Sequence, residues 1–388
     1  MMKYPLACDT WDDREIEAIQ KVIESGRYTM GPHVKKFEEE FARFFKCEDA
    51  VMVNSGSSAN LLILAALAEK YKLRGNIIVP AVSWSTTYFP LHQYNFTMNF
   101  VDIDRHTLNI DPEKIQASIT PETCAIFAVN LLGNSCKYKI LKKIAEQNSL
   151  MLIEDNCESL GSITDTQEYA GTVGQFGSYS FFYSHHLQTM EGGMIVCKKT
   201  DDADFIRSMR AHGWSRDLKD DNTIYKKSGN KFKDSFTFIT PGYSLRPLEM
   251  SGAIGSVQLN KWPEMRQKRL KNAKYFNEKF SDLPVSTQKE IGESSWFGFS
   301  MVLENKLAGQ RNQVVKNLES KGIECRPIVA GNFMKNPVIE YLNFISKGNY
   351  ESANQIHDNG LFIGNDIRDL KENIDLVHET IKKVHSEL

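Results

Sequence analysis

Short apolar runs alternate with helix-like segments between residues 50 and 196, and this alternation constrains the fold more than any other feature of the sequence. Such alternation is typical of a mostly parallel sheet that is covered by helices on both faces. The predicted strands cover residues 50–53, 76–79, 98–101, 125–129, 150–153, 178–182 and 194–197. The predicted helices between them cover residues 59–72, 112–117 and 139–147. Because ligands of such sheets bind at the carboxyl ends of the strands, we expect a functional site there.

The segments on either side of this region have a different pattern. Residues 13–45 have helical spacing that Met30-Gly31-Pro32 interrupts, residues 201–250 are polar and predict irregular structure, and a long helix is predicted after Pro263. A strand around 297–302, a helix at 310–321 and a final helix from Lys371 follow. We predict a large α/β domain over residues 1–260, with N-terminal helices, and a smaller C-terminal α+β domain over residues 261–388.

The overall charge and the cysteines exclude several classes of protein. A formal net charge of -2 gives no electrostatic footprint for nucleic acid or for a membrane surface. The seven cysteines contain no Cys-x-x-Cys pair, so neither zinc nor an iron–sulfur cluster is predicted. No apolar stretch is long enough to span a bilayer. We therefore expect a cytoplasmic protein without a metal and without nucleic-acid or membrane partners.

The segment Asn54-Ser55-Gly56-Ser57-Ser58 lies between a strand and an apolar helix. A glycine turn at a helix N-terminus presents free amide protons to an anion, and the serines add hydroxyl donors. A serine N-cap without any ligand is the more common explanation of this segment alone.

Two other strand ends carry candidate binding residues. The strand at residues 151–155 ends in Glu154 and Asp155, and strand alternation lets only one of these carboxylates face a ligand. Such a carboxylate can keep a pyridine nitrogen protonated, although an isolated acidic strand end more often faces solvent. Trp84 follows another strand and can either stack on a flat ring or pack in the core.

The most informative stretch covers residues 178–193, where a strand leads to His185 and His186 and the segment Glu191-Gly192-Gly193 leads into the next strand. Two adjacent histidines in an unknown protein are more often surface residues or metal ligands. A metal is disfavoured because no second cluster of ligands has zinc spacing.

In order and spacing, these segments resemble the DegT/StrS sugar aminotransferase family of pyridoxal-phosphate (PLP) enzymes over nearly the whole chain. The resemblance rests on Gly56-Ser57-Ser58, on the acidic strand end with Glu158, and on residues 180–193. It implies the aspartate-aminotransferase-like fold type I of PLP-dependent transferases. It also implies PLP and pyridoxamine phosphate (PMP) as cofactor forms, L-glutamate as amino donor, and a homodimer with shared active sites.

His185 departs from the usual family pattern. The aminotransferases have a lysine six residues before the glutamate of Glu-Gly-Gly, usually after an asparagine, where this chain has Ser184-His185. This departure resembles a branch of 3-dehydratases that act on GDP-linked 4-keto-6-deoxy sugars. Further similarity to that branch covers residues 4–7, 80–88, 210–214, 246–255 and 322–329. An imidazole cannot hold the cofactor covalently as lysine does, but its ordinary pKa of about 6.5 suits proton transfer at cellular pH.

The same resemblance implies individual roles, with His185 as the catalytic residue. The implied cofactor-binding residues are Gly56, Ser57, Ser58, Trp84, Asp155, Glu158, Ser180 and Ser184. Within that set, Asp155 pairs with the ring nitrogen and Trp84 stacks on the ring. The implied substrate-binding residues are His212, Arg246, Glu324 and Arg326. Ser244 replaces an asparagine that often reaches the phosphate of the neighbouring subunit, and serine is shorter.

The expected reaction is dehydration at C3 of a GDP-4-keto-6-deoxy sugar, with release of ammonia, to give a 3,6-dideoxy sugar for a surface polysaccharide of the colitose type. The sequence leaves three alternatives open. The first is an aminotransferase acting on a nucleotide-linked 4-keto sugar, and the second is a 3-dehydratase acting on a 6-deoxyheptose. The third is a non-catalytic sugar-binding protein, which the retained cofactor residues argue against.

Overall fold

The computed structural model describes residues 3–388, so Met1 and Met2 of the predicted large domain lie outside the described residues. Its strands, numbered in chain order, are β1 (Asp49–Val53), β2 (Asn76–Pro80), β3 (Thr97–Val101), β4 (Thr123–Val129), β5 (Met151–Asp155), β6 (Phe176–Ser180), β7 (Gly193–Cys197), β8 (Val285–Thr287), β9 (Gly298–Leu303), β10 (Phe344–Ser346) and β11 (Gly360–Gly364). The seven strands predicted between residues 50 and 196 all occur, with bounds that agree within one or two residues.

These strands form one large and one small sheet. The large sheet has eight strands in the order β1-β7-β6-β5-β4-β2-β3-β10. Strand β7 runs antiparallel to both of its neighbours, and the other pairs are parallel. The prediction of a mostly parallel sheet is therefore confirmed. The small sheet is antiparallel, in the order β11-β9-β8.

The helices cover both faces of the large sheet and complete the C-terminal part. In chain order they are α1 (Asp13–Ser25), α2 (Pro32–Phe45), α3 (Gly56–Glu69), α4 (Ser85–Gln93), α5 (Pro112–Ser118), α6 (Tyr138–Gln147), α7 (Thr200–Arg210), α8 (Lys231–Asp234), α9 (Glu249–Lys279), α10 (Arg311–Ser320), α11 (Glu351–Asn359) and α12 (Lys371–Ser386). None of the helices within residues 3–388 combines the length and the apolar character that crossing a membrane requires.

Helix α3 is apolar on almost every side because it packs between the sheet and the helices α4 and α7. It begins at Gly56, three residues before the predicted start, so the glycine turn is the first turn of the helix itself. Because the helix is buried on all sides, its direction is fixed, and its N-terminus points towards the sheet edge that is formed by the carboxyl ends of the parallel strands.

Helix α2 stabilises the segment that carries the histidines. Its apolar face presents Phe37 and Phe41, whose ring centroids lie 5.4 Å and 5.8 Å from that of Phe181. Phe41 also contacts Tyr179 of β6, at 5.1 Å. Aromatic pairs at these distances stabilise by about 0.5–1.5 kcal/mol beyond the burial of their area. The chain is therefore anchored immediately before the loop that follows β6.

The prediction of irregular structure over residues 201–250 is wrong at both ends. Helix α7 occupies residues 200–210, and its charged side chains are buried because Arg207 pairs with Asp49 and Arg210 pairs with Glu38. Helix α9 begins at residue 249 and continues through Pro263, whereas the sequence predicted a helix only after that proline. The predicted boundary between residues 260 and 261 falls inside α9, so the division into two domains stays a prediction.

The C-terminal part has its own apolar core and also contacts the N-terminal segment. The predicted strand and helices near 297–302, 310–321 and 371 correspond to β9, α10 and α12. Tyr4 packs into this core and donates a hydrogen bond to the Gly364 carbonyl at 2.6 Å. The Leu6 amide donates to the Glu324 carboxylate at 3.1 Å. Residues far apart in the chain therefore meet beside the large sheet.

Candidate active site

A cavity of about 290 Å³ lies at the carboxyl ends of β4, β5 and β6, beside the N-terminus of α3. This is the position that the sheet topology predicts for a ligand. The predicted site residues that line the cavity are Gly56, Ser57, Trp84, Asp155, Glu158, Ser180, Ser184, His185 and Arg326. The predicted site residues outside its lining are Ser58, His212, Arg246 and Glu324.

The first turn of α3 forms one end of the cavity. Ser55 caps the helix by accepting a hydrogen bond from the Ser58 amide at 3.1 Å, and its hydroxyl donates to the Ser58 hydroxyl at 3.0 Å. Ser55 is therefore the serine N-cap of the helix, and both the amide and the hydroxyl of Ser58 are bonded to it. The hydroxyl of Ser57 lies 2.9 Å from that of Thr86. The free amides and the Ser57 hydroxyl at this helix end suit an anion such as a phosphate.

Gly56 is required at this turn because the backbone passes very close to β6. A methyl group on Gly56 would lie 2.6 Å from Ser180 Cβ and 2.8 Å from Cys157 Sγ. We expect Gly56→Ala to lower the free energy of unfolding by about 1–3 kcal/mol, the usual effect of overpacking. Urea denaturation of the two proteins measures this difference. Adding Ser180→Gly to the Gly56→Ala chain should recover part of the lost stability. A Gly56→Ala protein as stable as the wild type would contradict the close packing.

Asp155 also lines the cavity and is held by several donors. Its Oδ2 accepts hydrogen bonds from Asn60 Nδ2 at 2.8 Å and Thr87 Oγ1 at 2.7 Å, and its Oδ1 accepts from the Cys157 amide at 3.2 Å. A fixed carboxylate facing the cavity fits the protonated nitrogen of a pyridine ring. Asn60 and Thr87 were not among the predicted site residues, although the polar side chain of Asn60 within the otherwise apolar helix α3 could have indicated a role in the site.

Glu154 points away from the cavity, as strand alternation requires. Its carboxylate accepts hydrogen bonds from the backbone amides of Gly171, Val173 and Gly174, at 2.6–2.7 Å. The two adjacent acidic residues therefore have separate functions. Glu154 fixes the loop before β6, and Asp155 faces the site.

Glu158 lies beside Asp155 in the cavity wall, and its Oε2 accepts a hydrogen bond from the Leu132 amide at 3.0 Å. Burial raises the pKa of its carboxyl to about 7, and the negative charge of Asp155 adds to the rise. Glu158 can therefore hold or release a proton at neutral pH.

This raised pKa predicts how stability depends on pH. The folded protein binds the Glu158 proton more tightly than the unfolded chain, so the free energy of unfolding falls as the pH rises from 4.5 to about 7. One pKa unit corresponds to about 1.4 kcal/mol, which limits the fall to about 3 kcal/mol. We expect cofactor-free Glu158→Gln to lose this decline, which urea denaturation across that pH range measures. Parallel pH profiles of the variant and the wild type would refute the assignment.

His185 lies in the loop after β6, with its backbone amide bonded to the Phe182 carbonyl at 2.8 Å. Its ring centroid is 5.2 Å from that of Phe297, and its buried Nδ1 has no hydrogen-bond partner within the described part of the chain. Burial lowers the pKa of His185 to about 4, and the positive charge of Arg269 adds to the fall. The ordinary pKa assumed from the sequence is therefore too high, and the imidazole is neutral at physiological pH.

His186 points away from this cavity. Its ring lies 5.1 Å from Trp262, its Nε2 lies 3.3 Å from the Ser295 carbonyl, and burial lowers its pKa well below the ordinary value. This environment is that of a packed core histidine.

The four predicted substrate-binding residues lie in two places. Arg326 is in the cavity wall and pairs with Glu324 at 3.3 Å. His212 and Arg246 instead flank Trp214. The ring centroids of His212 and Trp214 are 4.6 Å apart, and the Arg246 guanidinium lies 5.7 Å from the centroid of the Trp214 ring. The Arg246 side chain also donates to the Ser244 hydroxyl at 3.4 Å.

The residues of the cavity fit a flat, phosphorylated pyridine. The lining combines a helix N-terminus with hydroxyl groups, a fixed carboxylate, and the exposed Trp84, which supplies an aromatic face. No group of three or more His, Cys, Asp or Glu side chains that could hold a metal ion occurs in residues 3–388.

Comparisons with known proteins agree with this description. The enzyme named GDP-4-keto-6-deoxy-D-mannose 3-dehydratase from Escherichia coli O55:H7 is 49% identical, over 98% of this chain and 100% of that protein. A histidine-to-asparagine mutant of GDP-4-keto-6-deoxymannose-3-dehydratase, solved with bound GDP-perosamine, is 49% identical and superposes with a TM-score of 0.95. The alignment covers 97% of this chain and 100% of that one.

A second structure of the same enzyme contains a trapped adduct of PLP with glutamate. It is 48% identical, has a TM-score of 0.94, and the match covers 97% of this chain and 100% of that one. These superpositions confirm the predicted fold class, and residues 9–382 match the sequence pattern of one family of such enzymes. This chain belongs to the DegT/DnrJ/EryC1/StrS aminotransferase family.

Proposed function

We propose that this chain catalyses the PLP- and PMP-dependent dehydration at C3 of a GDP-4-keto-6-deoxy sugar. L-glutamate supplies the amino group, ammonia is released, and the product is a GDP-4-keto-3,6-dideoxy sugar. The observation that carries the proposal is His185, which lines the cavity together with the predicted cofactor-binding residues, where family aminotransferases have a lysine. The relatives with GDP-perosamine and with PLP and glutamate support the choice of ligands.

The residues of the cavity divide the binding of the cofactor among them. We assign the phosphate to the amides of the first turn of α3, with the hydroxyls of Ser57 and Ser180, and the ring nitrogen to Asp155. Trp84 covers one face of the ring, and Glu158 and Ser184 lie in the surrounding wall. When bound, the cofactor supplies the electron sink that allows the C3 hydroxyl to leave.

His185 moves the proton in this scheme. Its imidazole is neutral at rest, so one ring nitrogen is free to accept a proton. With the cofactor bound, this nitrogen would take a proton from the cofactor carbon that carries the amino group. The imidazolium so formed, with a pKa of about 4, would be a stronger acid than an ordinary one and would pass the same proton to the departing C3 oxygen, which leaves as water. A single side chain can therefore act first as a base and then as an acid.

We further propose a homodimer with shared active sites. His212 and Arg246 lie outside the cavity of their own chain, next to Ser244, whose position in the family faces the neighbouring subunit. Large apolar side chains are exposed in the same part of the chain, at Phe236, Phe238 and Leu248. A solution mass of twice 44.2 kDa by light scattering is the expected result, and a monomer that is fully active would contradict the proposal.

The reducing interior of a cell is the location we propose. All seven cysteines are free, which suits a compartment that keeps thiols reduced. A disulfide found in the protein isolated from its cells under alkylating conditions would contradict this location.

Ammonia release is the decisive test of the function. The enzyme is incubated with PLP, L-glutamate and GDP-4-keto-6-deoxy-D-mannose, and ammonia, 2-oxoglutarate and the 3-deoxy sugar are measured. Equal amounts of ammonia and 3-deoxy sugar are expected. A stable amino sugar would identify an aminotransferase, and no turnover of any 4-keto sugar would favour a binding protein. A parallel panel with a 6-deoxyheptose and with other nucleotides defines the substrate.

A further inference from the structure

The first turn of α4 carries Thr87, a buried residue whose hydroxyl has two polar neighbours. Its Oγ1 lies 2.7 Å from Asp155 Oδ2 and 2.7 Å from the hydroxyl of Ser83, which is also buried. A carboxylate accepts hydrogen bonds, so Thr87 donates its one proton to Asp155 and accepts the proton of Ser83. The three side chains therefore form a directed row of hydrogen bonds that ends at a residue of the cavity wall.

Asn60 approaches the same carboxylate oxygen from α3. Its Nδ2 donates to Asp155 Oδ2 at 2.8 Å and to the Thr86 carbonyl at 3.3 Å, so both amide protons are used. The buried Oδ1 of Asn60 has no hydrogen-bond partner within residues 3–388. Turning the amide over would place this oxygen against a carboxylate and a carbonyl, which are both acceptors. A buried acceptor without a donor costs free energy, so the contact with Asp155 outweighs that cost.

The donors divide unequally between the two oxygens of Asp155. Oδ2 accepts the short hydrogen bonds from Asn60 and Thr87, and a carboxylate oxygen accepts about two such bonds. Oδ1 accepts from the Cys157 amide at 3.2 Å, whereas the Ser178 hydroxyl is 3.5 Å away, at the limit of a hydrogen bond. Oδ2 is therefore saturated, and Oδ1 is the oxygen that can accept from a further donor.

We propose that Thr87 and Asn60 are positioning residues that hold Oδ2 of Asp155, so that Oδ1 accepts the hydrogen bond from the ring nitrogen of the cofactor. This role rests on the proposed function, which requires that cofactor. Strand β5 places Asp155 at the cavity but leaves its carboxylate free to rotate about the Cβ–Cγ bond. Two donors from two different helices prevent that rotation. A carboxylate held in this way meets the ring N–H without first having to reorient.

The test compares the binding of PMP with that of its deaza analogue, in which a C–H group replaces the ring nitrogen. The amine form is chosen because it cannot form an imine with a surface lysine. Isothermal titration calorimetry of the full-length protein, without any sugar, gives a Kd for each compound. The ratio of the two Kd values measures how much the ring nitrogen contributes to binding. For the wild type we expect PMP to bind at least about tenfold more tightly than the analogue.

Four substitutions separate orientation from packing. Thr87→Val keeps the shape of the side chain but removes the hydroxyl, and we expect the preference for PMP over the analogue to fall about tenfold. Asn60→Leu, which removes the other donor, should lower the preference by a similar factor. Thr87→Ser keeps the hydroxyl and should retain the wild-type preference. Thr380→Val should also retain it, because it removes an equally buried hydroxyl that bonds to the Leu376 carbonyl within α12.

The ratio of the two Kd values distinguishes a failure of this role from a failure of the proposed function. Equal weakening of both compounds by Thr87→Val would overturn the role, since it would show that the hydroxyl only supports the packing. An unchanged or increased preference for PMP would overturn it as well. A wild-type protein that binds neither compound would instead overturn the proposed function, and this role with it. Thermal denaturation identifies the variants that fold, and Thr87→Ala replaces Thr87→Val if the latter does not.

Discussion

A His185→Gln variant is expected to release ammonia from the GDP-4-keto-6-deoxy sugar about 10²–10⁴-fold more slowly than the wild type, the usual contribution of a general acid–base group. Glutamine fills a similar space but cannot take up the proton that the imidazole transfers. The initial rate of ammonia release, measured with saturating L-glutamate and cofactor, gives the ratio directly.

Two controls accompany this variant. Retention of the cofactor after gel filtration should match the wild type, because His185 forms no covalent bond with the cofactor. His106→Gln, at an exposed position outside the cavity lining, should leave the rate unchanged. Near-wild-type turnover by His185→Gln would show that another group moves the proton.

The second large effect is a change of product. In a chain with His185→Lys and Ser184→Asn, the lysine amine lies at the cavity wall and is able to bond covalently to the cofactor. We expect this chain to transfer the amino group of L-glutamate to the sugar and to form a stable 4-amino sugar, with ammonia release reduced by at least about tenfold. That factor corresponds to about 1.4 kcal/mol in relative barrier height.

The covalent bond can be tested separately from the product. Borohydride reduction followed by peptide mass spectrometry should locate the cofactor on residue 185 of the double variant and find none on the wild type or on Ser184→Asn alone. Attachment to a different lysine would mean that residue 185 does not face the cofactor. Ammonia release at the wild-type rate by a chain linked at residue 185 would show that the histidine does not decide the reaction.

The sequence predicted those parts of the site that depend on local order. The glycine turn that begins α3, the acidic end of β5 and the loop after β6 each occupy a few consecutive residues, and the sheet topology brings them together at one edge. Strand alternation limited the choice between Glu154 and Asp155 to one carboxylate. The family resemblance then selected Asp155.

The parts that the sequence did not predict depend on contacts between distant segments. Asn60 and Thr87 meet Asp155 only in the folded chain, and Phe297, whose ring packs against His185, is more than 100 residues away from it in sequence. The depressed pKa of His185 has the same origin, because burial and a remote cation leave no local pattern. Helix α7 was missed because its buried face carries arginines and aspartates that resemble a solvated segment.

The wall of the cavity combines Leu6 with Arg326, Val329 and Phe362, and the Leu6 amide is held by Glu324. The ribosome adds the last of these residues long after the first. A nascent chain that ends before Phe362 therefore lacks one side of the pocket, even when the large sheet has already formed. The complete cavity therefore exists only after the C-terminal part of the chain has been translated and has folded against the N-terminal segment.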